Sequence, residues 1–222
     1  MSHFIGLCFV YGGESMLEEN LAPYNEQDDD YCIFEDCTEE LEKKFAELPE
    51  KDERLTPEGE PYPYPCDKEH YPTIKDLAED WFGYRKNEDG AYGYTHNPDA
   101  KWDWYAIGNR WNGYLLGKNG HEYNELKFDD VDWEKMFTPV EKTYTNYKGE
   151  EETYEDVHIP FCLVDTDGGW HERGEMGWWA CVSNEKDGDT WGAEVKEYIK
   201  SLQEKPDDER EDLMVFAVDF HI

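Results

Sequence analysis

The chain begins and ends with apolar runs that are typical of buried β-strands. Residues 3–10 (HFIGLCFV) form the first run, which Gly12-Gly13 ends. Residues 213–221 (LMVFAVDFH) form the last run, and its nearly continuous apolar character predicts a strand covered on both faces. We expect these two strands to be neighbours in one sheet.

Between these strands, three segments place apolar residues at helical spacing and carry N-terminal capping signals. Each predicted helix buries one apolar face and exposes the opposite one. The three segments are residues 39–48 with Thr38 as the N-cap, residues 73–82 opened by the capping-box pattern Thr73–Asp76 and ended by Gly83, and residues 191–203 with Asp189 or Thr190 as the N-cap.

Turn signals predict several hairpins, and a cluster of prolines predicts one long loop. Together with the helices they indicate one α+β domain over residues 1–222, with a mixed or mainly antiparallel sheet and a few helices packed on it. The hairpins are 111–117 with 121–127 across Asn119-Gly120, 143–147 with 153–159 across Lys148-Gly149, and Ile159–Val164 with Gly177–Ser183 across Asp167-Gly168-Gly169; the proline-rich loop covers about 55–72.

Composition adds a strong negative charge to this picture. The 55 acidic and 21 basic residues give a net charge of −34, which excludes ordinary non-specific binding to nucleic acid or to an anionic membrane. The aromatic fraction of 16% indicates a folded rather than a disordered chain. No apolar run approaches the length of a membrane span, and we expect no signal peptide.

The acidity has three competing interpretations. Halophilic solvation ranks last, because Lys outnumbers Arg by 16 to 5. Plain solubility is the simplest explanation. A functional surface that imitates nucleic-acid phosphates is the third, and it predicts a partner protein with a basic surface.

The distribution of charge favours a functional surface. Residues 14–60 hold 18 acidic against 4 basic residues, and residues 121–160 hold 12 against 4. Residues 91–120 hold only 2 acidic residues against 3 basic ones. The predicted partner-binding residues are Asp28, Asp29, Asp30, Glu35, Asp36, Glu39 and Glu40.

The weakly charged stretch is also the richest in tryptophan. Its sequence, KWDWYAIGNRWNG over residues 101–113, fits a ligand pocket in which indoles stack on rings and an arginine binds phosphate or carboxylate. The alternative is an aromatic core in which Arg110 stacks on a ring and pairs with Asp103, and aromatic clusters more often serve packing. The candidate ligand-binding residues are Trp102, Trp104, Tyr105, Arg110, Trp111 and Arg173.

No standard catalytic motif is present, although a few side chains have suitable chemistry. His171, with Glu172 or Glu175 as its partner, and His121 are the candidates for proton transfer. The alternative for His171 is an exposed polar hairpin. Asp165-x-Asp167 departs from both the aspartyl-phosphatase and the calcium-loop patterns, so it predicts a tight turn.

Cysteine spacing gives one candidate metal site. Cys32, Cys37, Cys66 and His70 supply zinc ligand types, but the tight C-x2-C knuckle is missing. We therefore expect free thiols in a reducing cytoplasm, and no metal or cofactor.

Short motifs at both ends and in the middle of the chain resemble a family of small proteins from tailed-bacteriophage genomes. The resemblance implies a phage origin and expression in the host bacterial cytoplasm, but no chemistry. Asn109 departs from the family, which typically has glycine there; Asn can also adopt a left-handed turn. The motifs are Met1–Phe4, Leu21–Tyr24, Asn97–Tyr105, Gly108-x-Arg110-Trp111, Gly174–Trp179 and Val218–Ile222.

These observations leave three functional hypotheses. The first is a phage accessory protein that inhibits a host defence or nucleic-acid-handling system through its acidic surface. The second is sequestration of a small nucleotide signal in a Trp/Arg-lined pocket. The third is an unrecognised hydrolase. The oligomeric state stays open.

Overall fold

The computed structural model describes residues 2–177 and 181–222, and the α+β class predicted from sequence is confirmed. Its α-helices are α1 (Glu14–Leu21), α2 (Thr38–Glu47), α3 (Ile74–Asp76), α4 (Trp133–Met136), α5 (Gly188–Gln203) and α6 (Asp207–Arg210), and a π-helical segment (Leu77–Trp81) continues α3. Its strands are β1 (His3–Tyr11), β2 (Ile33–Asp36), β3 (Arg85–Lys86), β4 (Tyr92–His96), β5 (Trp104–Ile107), β6 (Leu115–Leu116), β7 (Glu122–Tyr123), β8 (Glu125–Lys127), β9 (Val140–Thr145), β10 (Glu151–Asp156), β11 (Cys162–Val164), β12 (Trp170–Glu172), β13 (Glu175–Met176), β14 (Val182–Ser183) and β15 (Leu213–His221).

The chain divides into two compact units. The first contains residues 1–28 and 99–222, and the second contains residues 29–98. The sequence predicted one domain over residues 1–222, whereas residues 29–98 form a separate unit within that range. No helix among the described residues is long and apolar enough to cross a membrane.

The first unit is built on the pairing of β1 with β15. All nine residues of each strand pair antiparallel, from His3 opposite His221 to Tyr11 opposite Leu213. The prediction that these two strands are neighbours in one sheet is therefore confirmed. The strands lie at the centre of a sheet with the order β12-β11-β1-β15-β5, and β8 also pairs with β15. Only β1 and β11 are parallel among these pairs.

Both faces of this sheet are buried, which explains the uninterrupted apolar sequences. Side chains alternate between faces along a strand. Ile5, Leu7 and Phe9 pack on the face that α5 covers, while Phe4, Cys8 and Val10 pack on the face that α1 covers. Burying each large apolar side chain stabilises the fold by about 1.5–3 kcal/mol.

Helix α5 supplies most of the cover on its face of the sheet. Trp191, Val195, Ile199 and Leu202 are buried along one side of it, as their spacing predicts. The predicted N-cap was wrong by two or three residues. Asp187, not Asp189 or Thr190, caps the helix, because its Oδ1 accepts the backbone N–H of Thr190 at 2.9 Å.

The predicted hairpins are present in shorter form, with one wrong partner. β6 pairs with β7 across Asn119-Gly120, and β9 pairs with β10 across Lys148-Gly149. β11, however, pairs with β12 across the turn at Asp165–Gly169. Because this tight turn reverses the chain immediately, β12, which follows the turn, pairs with β11. Within the predicted strand Gly177–Ser183, residues 182–183 pair with β13, and residues 178–180 lie outside the described residues.

The second unit is a three-stranded antiparallel sheet, β2-β4-β3, with α2 and α3. The capping box at α3 is confirmed: Thr73 and Asp76 each accept the other's backbone N–H. Thr38, in contrast, does not cap α2. Its Oγ1 accepts the backbone N–H of Tyr92 at 2.8 Å, so the hydroxyl joins the helix to β4 instead. Residues 56–72 contain no helix or strand, as the prolines predict.

Gly6 allows the central strands to approach closely. A Cβ atom at this position would lie 2.5 Å from the Phe220 ring and 2.6 Å from the Cys162 sulfur. We expect Gly6→Ala to lower the free energy of unfolding by about 1–3 kcal/mol through overpacking, measured by chemical denaturation. Gly188→Ala is the matched control, because nothing lies within 4 Å of its added Cβ. It should be neutral or stabilising by up to about 1 kcal/mol. Equal effects of the two substitutions would contradict this packing account.

Candidate functional site

The register of the central strands gathers polar side chains at one end of the sheet. His3, His221 and Trp104 are directly paired across β1, β15 and β5, and Asp219 is two residues before His221 on the same face. Paired residues in antiparallel strands project to the same side. The ends of the chain thus place two histidines and a carboxylate together, although 216 positions separate His3 from Asp219.

The carboxylate of Asp219 is fully buried and is held by three hydrogen bonds. Its Oδ2 accepts the Nδ2 amide of Asn109 at 2.8 Å and the backbone N–H of Arg110 at 3.4 Å. Its Oδ1 lies 3.0 Å from Nδ1 of His3. An ionised carboxylate can only accept, so with Asp219 ionised and the imidazole neutral, Nδ1 of His3 carries the proton and Nε2 is the ring's acceptor atom.

A left-handed turn presents Asn109 to this carboxylate. Gly108 has φ of +74° and Asn109 has φ of +48°, which confirms that asparagine adopts a left-handed conformation here. A Cβ atom on Gly108 would lie 2.4 Å from the Asn124 side chain. Asn124 also accepts the backbone N–H of Gly113 at 2.7 Å, so the turn is built around it.

A second histidine–aspartate pair lies beside the first. Nδ1 of His221 lies 2.5 Å from Oδ1 of Asp103, and the His221 ring stacks on Trp104 with centroids 5.0 Å apart. The His3 and His221 rings meet edge to face at 4.9 Å. These contacts fix the orientation of both rings. The predicted pairing of Arg110 with Asp103 was wrong, because His221 takes that carboxylate.

His3 also lines an open cleft of about 500 Å³. Most of its lining residues are apolar or aromatic, among them Trp111, Phe161 and the buried Trp191, and Arg173 contributes a guanidinium. Gly188, the first residue of α5, lies at the same cleft. None of the described residues that line it is an aspartate or a glutamate.

Two side chains of the cleft wall carry a buried hydrogen-bond donor that is unsatisfied by the described residues. Nε1 of Trp111 and Nε of Arg173 donate to no acceptor within residues 2–177 and 181–222. Nη2 of Arg173 pairs with Glu185 at 2.9 Å, which satisfies one end of the guanidinium. A buried unpaired donor costs about 1–3 kcal/mol, and a ligand or water oxygen would recover that cost.

The structure brings only two of the six predicted ligand-binding residues to this cleft, namely Trp111 and Arg173. Trp102 is buried in the core on the α1 face, where Tyr105 also packs. Trp104 covers His221 instead, and Arg110 is exposed and contributes its backbone N–H to Asp219. The Trp-rich segment is therefore divided between core and cleft.

The sequence-predicted catalytic residues occupy other places. His171 is exposed, with Nε2 2.7 Å from Oδ2 of Asp165, and it borders a small cavity of about 110 Å³. Burial would raise the pKa of Asp165, but hydrogen bonds from His171 and from two backbone N–H groups lower it overall. Glu172 accepts Nζ of Lys101 at 2.6 Å and Nε1 of Trp170 at 2.9 Å. His121 is exposed beside the Asn119-Gly120 turn.

Of the candidate zinc ligands, His70 belongs to a hydrogen-bonded loop. Nδ1 of His70 lies 2.8 Å from Oδ1 of Asp67, whose other oxygen accepts the backbone N–H of Asp52 at 2.6 Å. Although burial alone would raise the pKa of Asp67, these hydrogen bonds lower it to about 2. Cys37 is buried, whereas Cys32 and Cys66 are half-buried. Within residues 2–177 and 181–222, no three His, Cys, Asp or Glu side chains form a group suited to a metal.

The predicted partner-binding carboxylates are mostly on the surface. Six of the seven are exposed and belong to the second unit, whereas Asp28 is half-buried and belongs to the first. Glu40 pairs with Lys44 at 3.4 Å and Glu35 with His96 at 3.0 Å. The exposed six are Asp29, Asp30, Glu35, Asp36, Glu39 and Glu40.

The sequence analysis missed the four residues that form the two histidine–aspartate pairs. A signal for them was present. Once the first and last strands are predicted as antiparallel neighbours, alternation places His3, Asp219 and His221 on one face. Asp103 had no such signal, because nothing in the sequence specified that β5 would pair with the end of β15.

Comparison with known protein families, with curated proteins and with solved structures finds no match to this chain.

Two substitutions of Asn109 test the left-handed backbone that presents this side chain to Asp219. Asn109→Ala and Asn109→Gly both lose the hydrogen bond to Asp219, but only glycine accommodates the left-handed backbone without strain. We expect the alanine variant to be less stable than the glycine variant by about 1 kcal/mol, measured by urea denaturation. An alanine variant as stable as the glycine variant would show that the turn does not hold this conformation.

Proposed function

We propose that the cleft beside β1 binds a small anionic ligand that carries a planar ring, such as a nucleotide. The observation that supports this proposal is the charge of the cleft wall. In a chain with 55 acidic residues, the described residues that line the cleft include Arg173 and His3 but no carboxylate. An anion meets less repulsion there than elsewhere on so acidic a protein.

The chemistry of the wall suits both parts of such a ligand. The Arg173 guanidinium and the N-terminal end of α5 at Gly188 favour a negatively charged group. The Asp187 carboxylate lies at this helix end, and its two oxygens accept hydrogen bonds from the backbone N–H and the hydroxyl of Thr190. The half-buried indole of Trp111 offers aromatic surface against which a ring can pack.

The size of the cleft is also appropriate. Ligand sites of proteins commonly enclose about 300–1,000 Å³, and the cleft measures about 500 Å³. A mononucleotide or cyclic nucleotide falls within this range, whereas a folded nucleic acid does not. Sequestration of a nucleotide signal requires binding alone and no catalytic group.

A thermal-shift and calorimetric screen with mono-, di- and cyclic nucleotides tests this proposal. We expect at least one nucleotide to bind, and a ligand at 100 times its Kd should add about 2.7 kcal/mol of stability. Arg173→Gln should weaken that binding by about 10-fold or more, because it removes a charge-assisted hydrogen bond. Arg85→Gln, an exposed arginine of the second unit, is the control and should bind as the wild type does. Absence of binding by every nucleotide would contradict the proposal.

A second candidate function rests on a separate observation. Six predicted partner-binding carboxylates are exposed within residues 29–40 of the second unit. We propose that they form a surface for a host protein with a basic surface, of the kind found in defence or nucleic-acid-handling systems. Long-range attraction between such surfaces speeds association and is screened by salt.

The acidic surface can be tested with variants of equal charge change. The triple variant Glu35→Gln, Glu39→Gln, Glu40→Gln should lose a complex that the wild type forms at low salt in bacterial lysate. That complex should also dissociate at about 1 M salt, where the screening length is about 3 Å. The control, Glu197→Gln, Asp208→Asn, Glu209→Gln, removes three exposed carboxylates of the first unit and should retain the complex. Equal loss in both variants would refute a specific surface.

A further inference from the structure

We propose that the cleft is catalytic, and that His3 is the general base for hydrolysis of a nucleotide phosphodiester bound there. The inference rests on the proposed function, since it requires a nucleotide in the cleft. It extends that function from sequestration to turnover. It also assigns a different residue from the histidines that the sequence suggested.

The orientation of the His3 ring suits a general base. Nδ1 donates to the buried carboxylate of Asp219 at 3.0 Å, so Nε2 is the ring nitrogen left to accept a proton. No hydrogen bond to Nε2 is found among the described residues. An imidazole whose Nδ1–H is bound by a carboxylate, and whose Nε2 is bonded to none of the described residues, has the geometry that general-base catalysis requires.

The His3–Asp219 pair is held rigidly by its neighbours. Asp219 is held by Asn109 and by the Arg110 backbone, so it cannot follow His3 if the ring moves. The His3 ring is also confined by Trp104 at 5.3 Å and by His221 at 4.9 Å. The Asn109 backbone is in the left-handed region, and non-glycine residues there are often found at functional sites. Such preorganisation costs stability and is useful when a proton must be taken from a fixed direction.

The charge of the cleft favours a diester over a monoester. Arg173 is the one arginine or lysine among the described lining residues, and Glu185 neutralises part of its charge. A phosphodiester carries one negative charge, whereas a phosphomonoester carries nearly two at neutral pH. A single, partly compensated guanidinium matches the smaller charge.

The reaction balances without an oxidant or reductant. Nε2 of His3 takes a proton from a water molecule as the water oxygen forms a bond to phosphorus. The bond from phosphorus to one ester oxygen breaks, and that oxygen receives the proton from the His3 imidazolium. Arg173 stabilises the negative charge on the non-bridging oxygens. The net change is the addition of one water, which yields a phosphomonoester and an alcohol.

The test uses the full chain with 2′,3′- and 3′,5′-cyclic mononucleotides and with bis(4-nitrophenyl) phosphate as probes. We expect at least one probe to be hydrolysed, with products followed by chromatography or by release of 4-nitrophenol. His3→Asn should reduce kcat by about 100-fold or more, while thermal shift shows that the probe still binds. His171→Asn is the control and should retain the wild-type rate.

Asp219→Asn tests the positioning role of the carboxylate. It should lower kcat by more than about 10-fold with KM unchanged, because the imidazole loses the group that orients its Nε2 towards the bound substrate. A merely structural role would weaken probe binding as well as turnover. His3→Gln provides a second substitution in case His3→Asn fails to fold, and circular dichroism checks the fold of each variant.

The outcomes separate this inference from the proposed function. Binding of nucleotides without hydrolysis of any probe would overturn the catalytic role and leave the binding site standing. Hydrolysis that survives His3→Asn unchanged would also overturn it. Absence of both binding and hydrolysis would overturn the proposed function together with the inference.

Discussion

The nine-residue pairing of β1 with β15 is the interaction on which the rest of the first unit depends. It forms the centre of the main sheet, and its two faces organise two separate cores. The same register that buries Leu7 opposite Ala217 brings His3 opposite His221 at its end. A slip of one residue would exchange the faces, so the core and the polar site are specified together.

The site combines features that are costly for stability. A left-handed asparagine and two donors that find no acceptor in the described part of the chain each oppose folding by an amount of order 1 kcal/mol or more, and they lie near a fully buried carboxylate. Two well-packed cores offset these terms. The concentration of such features around one cleft, whose described wall also lacks the carboxylates that are abundant elsewhere, is what supports a ligand-binding role.

Local signals in the sequence were sufficient for most elements, but pairings over long distances were not. The terminal strands, the Thr73 capping box and the Gly120 and Gly149 turns follow from short patterns. The prediction of Thr38 as an N-cap was wrong because its hydroxyl makes a tertiary hydrogen bond to Tyr92 instead. The predicted partner of β11 was wrong because a tight turn pairs β11 with β12. The division of the Trp-rich segment between core and cleft depends on how β5 and the turn after it meet β15, which no local pattern specifies.

The protonation of the His3 ring tests the central claim most directly. Long-range ¹H–¹⁵N NMR spectra report which imidazole nitrogen carries the proton when the ring is neutral. The account predicts that His3 has its proton on Nδ1, bonded to Asp219, and that the Nε2 resonance shifts when a nucleotide is added. A proton on Nε2, or an Nε2 resonance that no nucleotide perturbs, would contradict it.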